Sequence, residues 1–164
     1  LTLAGELLIA LVIVKVFQST LARMAVLAAF MPAIMATGGN VGLQSTAMVV
    51  RSLAMGKLKR KNTLRIILME IKLGLLLGLS CGILAAAVAY AINWKEAEVL
   101  KLSLAVFLAM LSATLSTSLV GTAGPIVLHR LKLDPAMATG PFVTLFNDMF
   151  GCLVYLGIAH LLFF

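Results

Sequence analysis

Asp148 lies inside an apolar stretch, P-F-V-T-L-F-N-D-M-F-G-C-L-V-Y-L-G, that reads as membrane-spanning. A carboxylate at bilayer depth is costly unless it faces water, a partner or a cation, so such a residue marks a functional site. Asn147 precedes it, Thr144 lies one helical turn earlier, and Gly151 and Cys152 follow about one turn later. No lysine or arginine follows Lys132, so a salt-bridge partner within the same segment is absent. Three readings remain: pairing with Lys15 or Lys72 of another helix, a proton relay, and cation coordination. Coordination is favoured, because both lysines are only remotely placed.

The other polar constellation is T-G-G-N-V-G-L-Q-S-T, residues 37–46. The adjacent Gly38 and Gly39 loosen a helix and free backbone carbonyls. Asn40 and Gln44 share one helical face, and Thr37 stands one turn earlier. Non-helical backbone at membrane depth is tolerated where it lines a cavity or is buried in protein. An interhelical hydrogen-bond clamp and a polar pathway are both consistent with it; a lone acid elsewhere in the chain favours the pathway.

Of the 6 carboxylates, Glu96, Glu98 and Asp134 fall in loops or at a helix start. The depth of Glu6 is open. Glu70 lies about one turn inside an apolar segment, with Arg65 and Lys72 near in sequence, and reads as an ion pair or interfacial anchor, or else as a secondary polar site. One acid per chain is a weak site for a divalent ion. A homodimer with Asp148 facing the two-fold axis supplies two carboxylates from one position, and a cation between them relieves their repulsion. Mg2+ suits such a site, since it takes oxygen ligands and keeps several waters. A softer metal would need thiolates or imidazoles, and His129 and His160 both lie near segment ends. Cys81 and Cys152, each inside an apolar segment, read as packing residues.

These residues need elements to hold them. Apolar residues make up 62% of the 164 and charged residues 12%, with a mean hydropathy of +1.12. Soluble domains run near 45–50% apolar and about 25% charged, so a membrane bundle is implied. The runs are continuously apolar rather than alternating, which selects helices over a barrel. Five segments follow, at about 3–17, 21–50, 66–92, 102–128 and 136–164. The second contains Pro32 and T-G-G-N and reads as a broken or kinked helix. Asp134-Pro135 is a start signal for the fifth. Gly74, Gly78 and Gly82, continued by Ala86, form a small-residue stripe for close helix contact. Ser112, Thr114, Ser116, Thr117, Ser118 and Thr122 read as helix–helix contacts through backbone-bonded hydroxyls.

The net charge of +7 does not point to nucleic acid, because of its placement. Arg51, Lys57, Lys59, Arg60, Lys61 and Arg65 bracket one loop, and His129, Arg130 and Lys132 another. By the positive-inside rule both loops are cytoplasmic, which puts the amino terminus inside and the carboxyl terminus outside. The first loop also suits anionic lipid. The opening L-T-L-A-G-E-L-L-I-A lies in an apolar run, so a truncated first helix with a soluble region upstream is one expectation. The whole of 1–164 is expected to form one transmembrane pore domain.

The motifs P-A-I-M-A-T-G-G-N-V-G-L-Q-S-T (32–46), V-V-R-S-L-A-M-G (49–56), E-I-K-L-G-L-L-L-G (70–78) and L-D-P-A-M-A-T-G-P-F-V-T-L-F-N-D-M-F-G (133–151) resemble, in order, the transmembrane domain of the MgtE family of magnesium transporters and channels. The first and last are specific, and the resemblance covers nearly the whole chain. It implies a plasma-membrane homodimer with a Mg2+ pore at the dimer interface, lined mainly by the second and fifth helices. Asp148 matches the family's pore aspartate, Thr144 the position one turn before it, and Asn40 the asparagine of the G-G-N motif. The ion site then comprises Asp148, Thr144 and Asn147. The pore lining comprises Asn40, Gln44, Thr37, Gly38, Gly39, Gly140, Pro141 and Gly151. Gly140 and Thr144 depart from residues common among relatives, which would alter the cytoplasmic entrance and the ion site. An exchanger coupled to Na+ or H+, with selectivity extending to Mn2+ and Co2+, is the alternative. An intramembrane enzyme would need a zinc motif such as H-E-x-x-H, which does not occur, or a nucleophile with a base; the one G-x-S-x-G, at 78–82, lies within the small-residue stripe of an apolar segment. A purely structural subunit would leave Asp148 and the Asn40/Gln44 face paired within one protomer.

Overall fold

A computed structural model of the chain describes residues 2–23, 25–56 and 60–163, and their regular structure is α-helix throughout. The order is α1 (Thr2–Arg23), α2 (Ala25–Ala54), α3 (Arg60–Ile92), α4 (Val99–Arg130) and α5 (Pro135–Phe163). Among the described residues, four stretches are long and apolar enough to cross a membrane: Val26–Ala54, Thr63–Ile92, Val99–Arg130 and Gly140–Phe163. The fifth helix, α1, is 22 residues long and leaves Leu7, Leu8, Leu11, Val12 and Val16 exposed. Lys57 and Lys59 of the basic loop lie outside the described residues, as do the side chains of Arg60 and Lys61.

The expected break in the second helix is absent. α2 runs as one helix through Pro32 and Gly38-Gly39, about 45 Å long. The departure from helical geometry falls instead in α1, at Phe17 (φ −109°, ψ 19°). Glycine tolerates helical backbone, and here Gly38 and Gly42 serve close packing while Gly39 has room for a methyl group. A methyl group on Gly38 would overlap Asn147 Oδ1. One on Gly42 would meet Val143 at 2.6 Å, and one on Gly39 would lie 3.5 Å from Asn147 Nδ2. The free carbonyl expected at Gly38 accepts the Thr117 hydroxyl at 2.8 Å.

α4 is the central helix, packed against α2, α3 and α5. Its Ala105, Val106, Ala109, Met110 and Ala113 form the core with Ile34, Tyr155 and Leu156. Small residues let its neighbours come close. Methyl groups on Gly74, Gly78 and Gly82 would meet Ser118, Thr114 and Phe107 of α4, so the glycine stripe is the α3–α4 seam. The α4 hydroxyls do the expected work. Thr114, Thr117 and Thr122 are buried and donate to carbonyls one turn back. Burying hydroxyls with their donors satisfied avoids the penalty of unpaired polar groups in an apolar interior.

The connections are short. Gly56 (φ 65°) closes the end of α2, and Lys132 (φ 60°) turns the chain between α4 and α5. α5 starts at Pro135, as Asp134-Pro135 predicts. Both cysteines are free, and Cys152 Sγ packs on Met35 Sδ at 3.8 Å, which agrees with a packing role.

Candidate ion-binding groove

Packing α5 beside α2 leaves a groove of about 360 Å³ on the outer surface of the bundle. From α2 it is lined by Pro32, Met35, Ala36, Gly39, Asn40 and Leu43, and from α5 by Thr144, Asn147 and Asp148. The lining follows from helix periodicity: 32, 36, 39, 40 and 43 fall on one face of α2, and 144, 147 and 148 on one face of α5. Asp148, midway along α5, is partly buried there, while Asn40 is exposed.

Asn147 organises the carboxylate. It is 1% exposed, and its Nδ2 donates to the Met35 carbonyl (2.8 Å) and to Asp148 Oδ1 (3.0 Å). Both partners are acceptors only, which sets the amide orientation. Asn147 Oδ1 is buried above Gly38 with no hydrogen-bond partner among the described residues. The acceptor end of this side chain therefore points into the protein, away from the groove. Asp148 makes no salt bridge among the described residues, so neither Lys15 nor Lys72 neutralises it. The Thr144 hydroxyl donates back to the Pro141 carbonyl at 3.0 Å, which leaves its lone pairs free. The groove thus presents hard oxygen acceptors, the class that Mg2+ and Ca2+ take.

The other predicted residues divide. Gly38 and Gly151 are buried packing positions, the latter against Met35. Gln44 is exposed and Thr37 partly buried, and neither lines the groove. Gly140 and Pro141 lie about two turns before Asp148, with open space around Gly140. Glu6, whose depth was open, comes beside α5. The adjacent Gly5 faces the Leu145 side chain. The sequence reading missed Met35, whose carbonyl anchors Asn147. Its place one turn before Gly39 was the available signal.

Glu70 belongs to a separate buried cluster on the opposite side of α2. It is 5% exposed and makes no ion pair with Arg65 or Lys72, contrary to the first expectation. Ser45 Oγ donates to its carboxylate at 2.8 Å, and Ser118 Oγ donates to its backbone carbonyl at 2.8 Å. The reason is direction: position 70 shares the buried face of α3 with Gly74 and Gly78, whereas 65 and 72 face outward. Ser45→Ala removes the only side-chain donor to this carboxylate among the described residues and is expected to destabilise the protein by about 2 kcal/mol. In detergent, its thermal midpoint should fall, and adding Glu70→Leu should restore most of the loss.

A family model described as MgtE, divalent cation transporter, matches residues 31–158. The magnesium transporter MgtE of Bacillus subtilis (strain 168) is 38% identical over 149 residues, covering 90% of this chain and 32% of that protein. The magnesium transporter MgtE of Thermus thermophilus is 35% identical over 150 residues, covering 92% and 32%. That of Enterococcus faecalis is 36% identical over 145 residues, covering 88% and 31%. The chain spans about a third of the length of these curated relatives.

Proposed function

Because the chain belongs to the MgtE family of divalent cation transporters, a family of transport proteins and not of enzymes, we propose that it forms a Mg2+-conducting path with Asp148 at its centre. The carrying observation is a carboxylate in an outward-facing groove with oxygen acceptors beside it and no cationic partner among the described residues. A groove of this kind is half a site. Two copies related by a two-fold axis along the α2–α5 face close it and bring two Asp148 carboxylates to one ion. The exposed Leu43, Met149 and Leu153 flank the groove and supply apolar contact for the partner.

In this arrangement Mg2+ passes as a hydrated ion. Asp148 binds its waters by charge, and the Thr144 oxygen accepts from them. Asn147 positions the carboxylate rather than ligating the ion. Asn40 and Gly39 line the path, and Gln44 and Gly140-Pro141 lie toward its cytoplasmic end. The α1 helix is the fifth span, with the amino terminus in the cytoplasm of a plasma-membrane protein, the carboxyl terminus outside, and the basic α2–α3 loop on anionic lipid.

Flux into liposomes tests this reading. Mg2+ should enter down its own gradient with no imposed Na+ or H+ gradient, faster than Ca2+, Mn2+ or Na+. Dependence on an imposed Na+ or H+ gradient would establish the exchanger instead, and no divalent flux at all would sink the proposal.

A further inference from the structure

We propose that the outer face of α3 carries a binding site for one anionic phospholipid, with Arg65 and Lys72 holding the headgroup phosphate. The proposal rests on α3 spanning a membrane and not on which ion the protein moves.

A second groove, of about 480 Å³, is lined by Leu64, Arg65, Leu68, Met69 and Lys72. All five belong to α3 and recur at spacings of three, four and seven, so they form one stripe. Leu64 is 65% exposed, Leu68 49% and Met69 55%. Below them the same helix continues outward with Leu73, Leu76 and Ile83. That surface is suited to acyl chains, not to water.

The two cations set the class of ligand. Arg65 lies at the start of the apolar span Thr63–Ile92, and Lys72 about 10 Å deeper along the helix. A lysine at that depth on a lipid-facing surface is unfavourable unless its chain reaches back to the interface and meets an anion. Protein supplies none: neither Arg65 nor Lys72 makes an ion pair or hydrogen bond among the described residues, and the adjacent Glu70 is turned inward to Ser45. Lys72 reaching up and Arg65 at the rim converge on the phosphate level, and the leucine stripe between them receives an acyl chain. A neutral zwitterionic headgroup offers the same phosphate with its own ammonium beside it. A net anionic headgroup leaves both protein cations to neutralise it.

The test uses the purified protein in neutral detergent with phosphatidylglycerol or phosphatidylcholine at equal mole fraction, and inorganic phosphate in a third arm. Phosphatidylglycerol should raise the thermal midpoint more than phosphatidylcholine, and lipid adducts should persist in native mass spectrometry. Arg65→Gln/Lys72→Gln should weaken phosphatidylglycerol binding about thirtyfold and narrow the difference between the lipids to what the basic α2–α3 loop supplies. Lys132→Gln, an exposed cation elsewhere, should leave it intact. The site is refuted if the double variant binds phosphatidylglycerol as wild type does, or if Lys132→Gln loses as much. Equal stabilisation by phosphatidylcholine also refutes it, and so does equal stabilisation by inorganic phosphate. Mg2+ flux measured alongside separates this outcome from failure of the transport reading.

Discussion

Asp148→Asn is expected to reduce Mg2+ flux through the reconstituted protein roughly a hundredfold, since a carboxylate about 5 Å from a divalent ion in an effective dielectric of about 20 contributes several kcal/mol. The substitution is nearly isosteric and keeps an acceptor for Asn147 Nδ2, which now donates to Asp148 Oδ1 at 3.0 Å. Folding should therefore survive, and size-exclusion behaviour and the thermal midpoint should match wild type. Under the two-fold reading each substitution removes two charges from one site, so the loss should exceed that of an isolated surface acid. Asp148→Glu keeps the charge but displaces it, and should retain part of the flux. Wild-type flux in the asparagine variant would remove this groove from the ion's path.

Gly121→Ala should have the largest effect on stability, a loss of about 1–3 kcal/mol toward the upper end of the overpacking range. A methyl group there would overlap the Gly42 carbonyl oxygen and approach Thr46 Oγ1 at 3.1 Å. The obstacle is backbone, which cannot swing aside as a side chain can. The same contact carries the Thr46 Oγ1 hydrogen bond to the Gly121 carbonyl at 3.1 Å, so α2 and α4 would separate and lose it. Because α2 also bears Asn40 and Gly39, flux should fall with stability. Gly140→Ala is the comparison: a methyl group there meets nothing within 4 Å and should leave the thermal midpoint unchanged. Equal behaviour of the two variants in a detergent melting assay would show that the α2–α4 seam is not close-packed.

The site residues differed in how legible they were. Asp148 and Asn40 stood out because a charged or amide group in an apolar run is costly, and that cost is visible without coordinates. Thr144 followed from spacing on the same helix. Gly38 and Gly39 were visible as a pair, but their purpose was not. A glycine pair is compatible with a loosened backbone and with a close-packed one, and only the neighbours decide between them. Here the neighbours are Asn147, Ala113 and Thr117. They pack against Gly38 where α2 runs on as continuous helix. Glu70 shows the same limit. Sequence proximity pointed to Arg65 and Lys72, whereas the fold turns the carboxylate to Ser45, which lies 25 residues away.

By itself, then, the sequence determined the class of fold and singled out Asp148 as a carboxylate in an apolar run. Both depend on composition and on periodicity along a single helix, which are local properties. Only the tertiary structure decided which polar groups share a cavity. It sent Asn40, Thr144 and Asp148 to an open groove, and Glu70, Ser45 and Ser118 to a closed cluster behind it. The physical reason is that a helix displays every direction around its axis. Which direction is groove, seam or lipid is set by the helices packed against it, and for α2 those are chiefly α4 and α5.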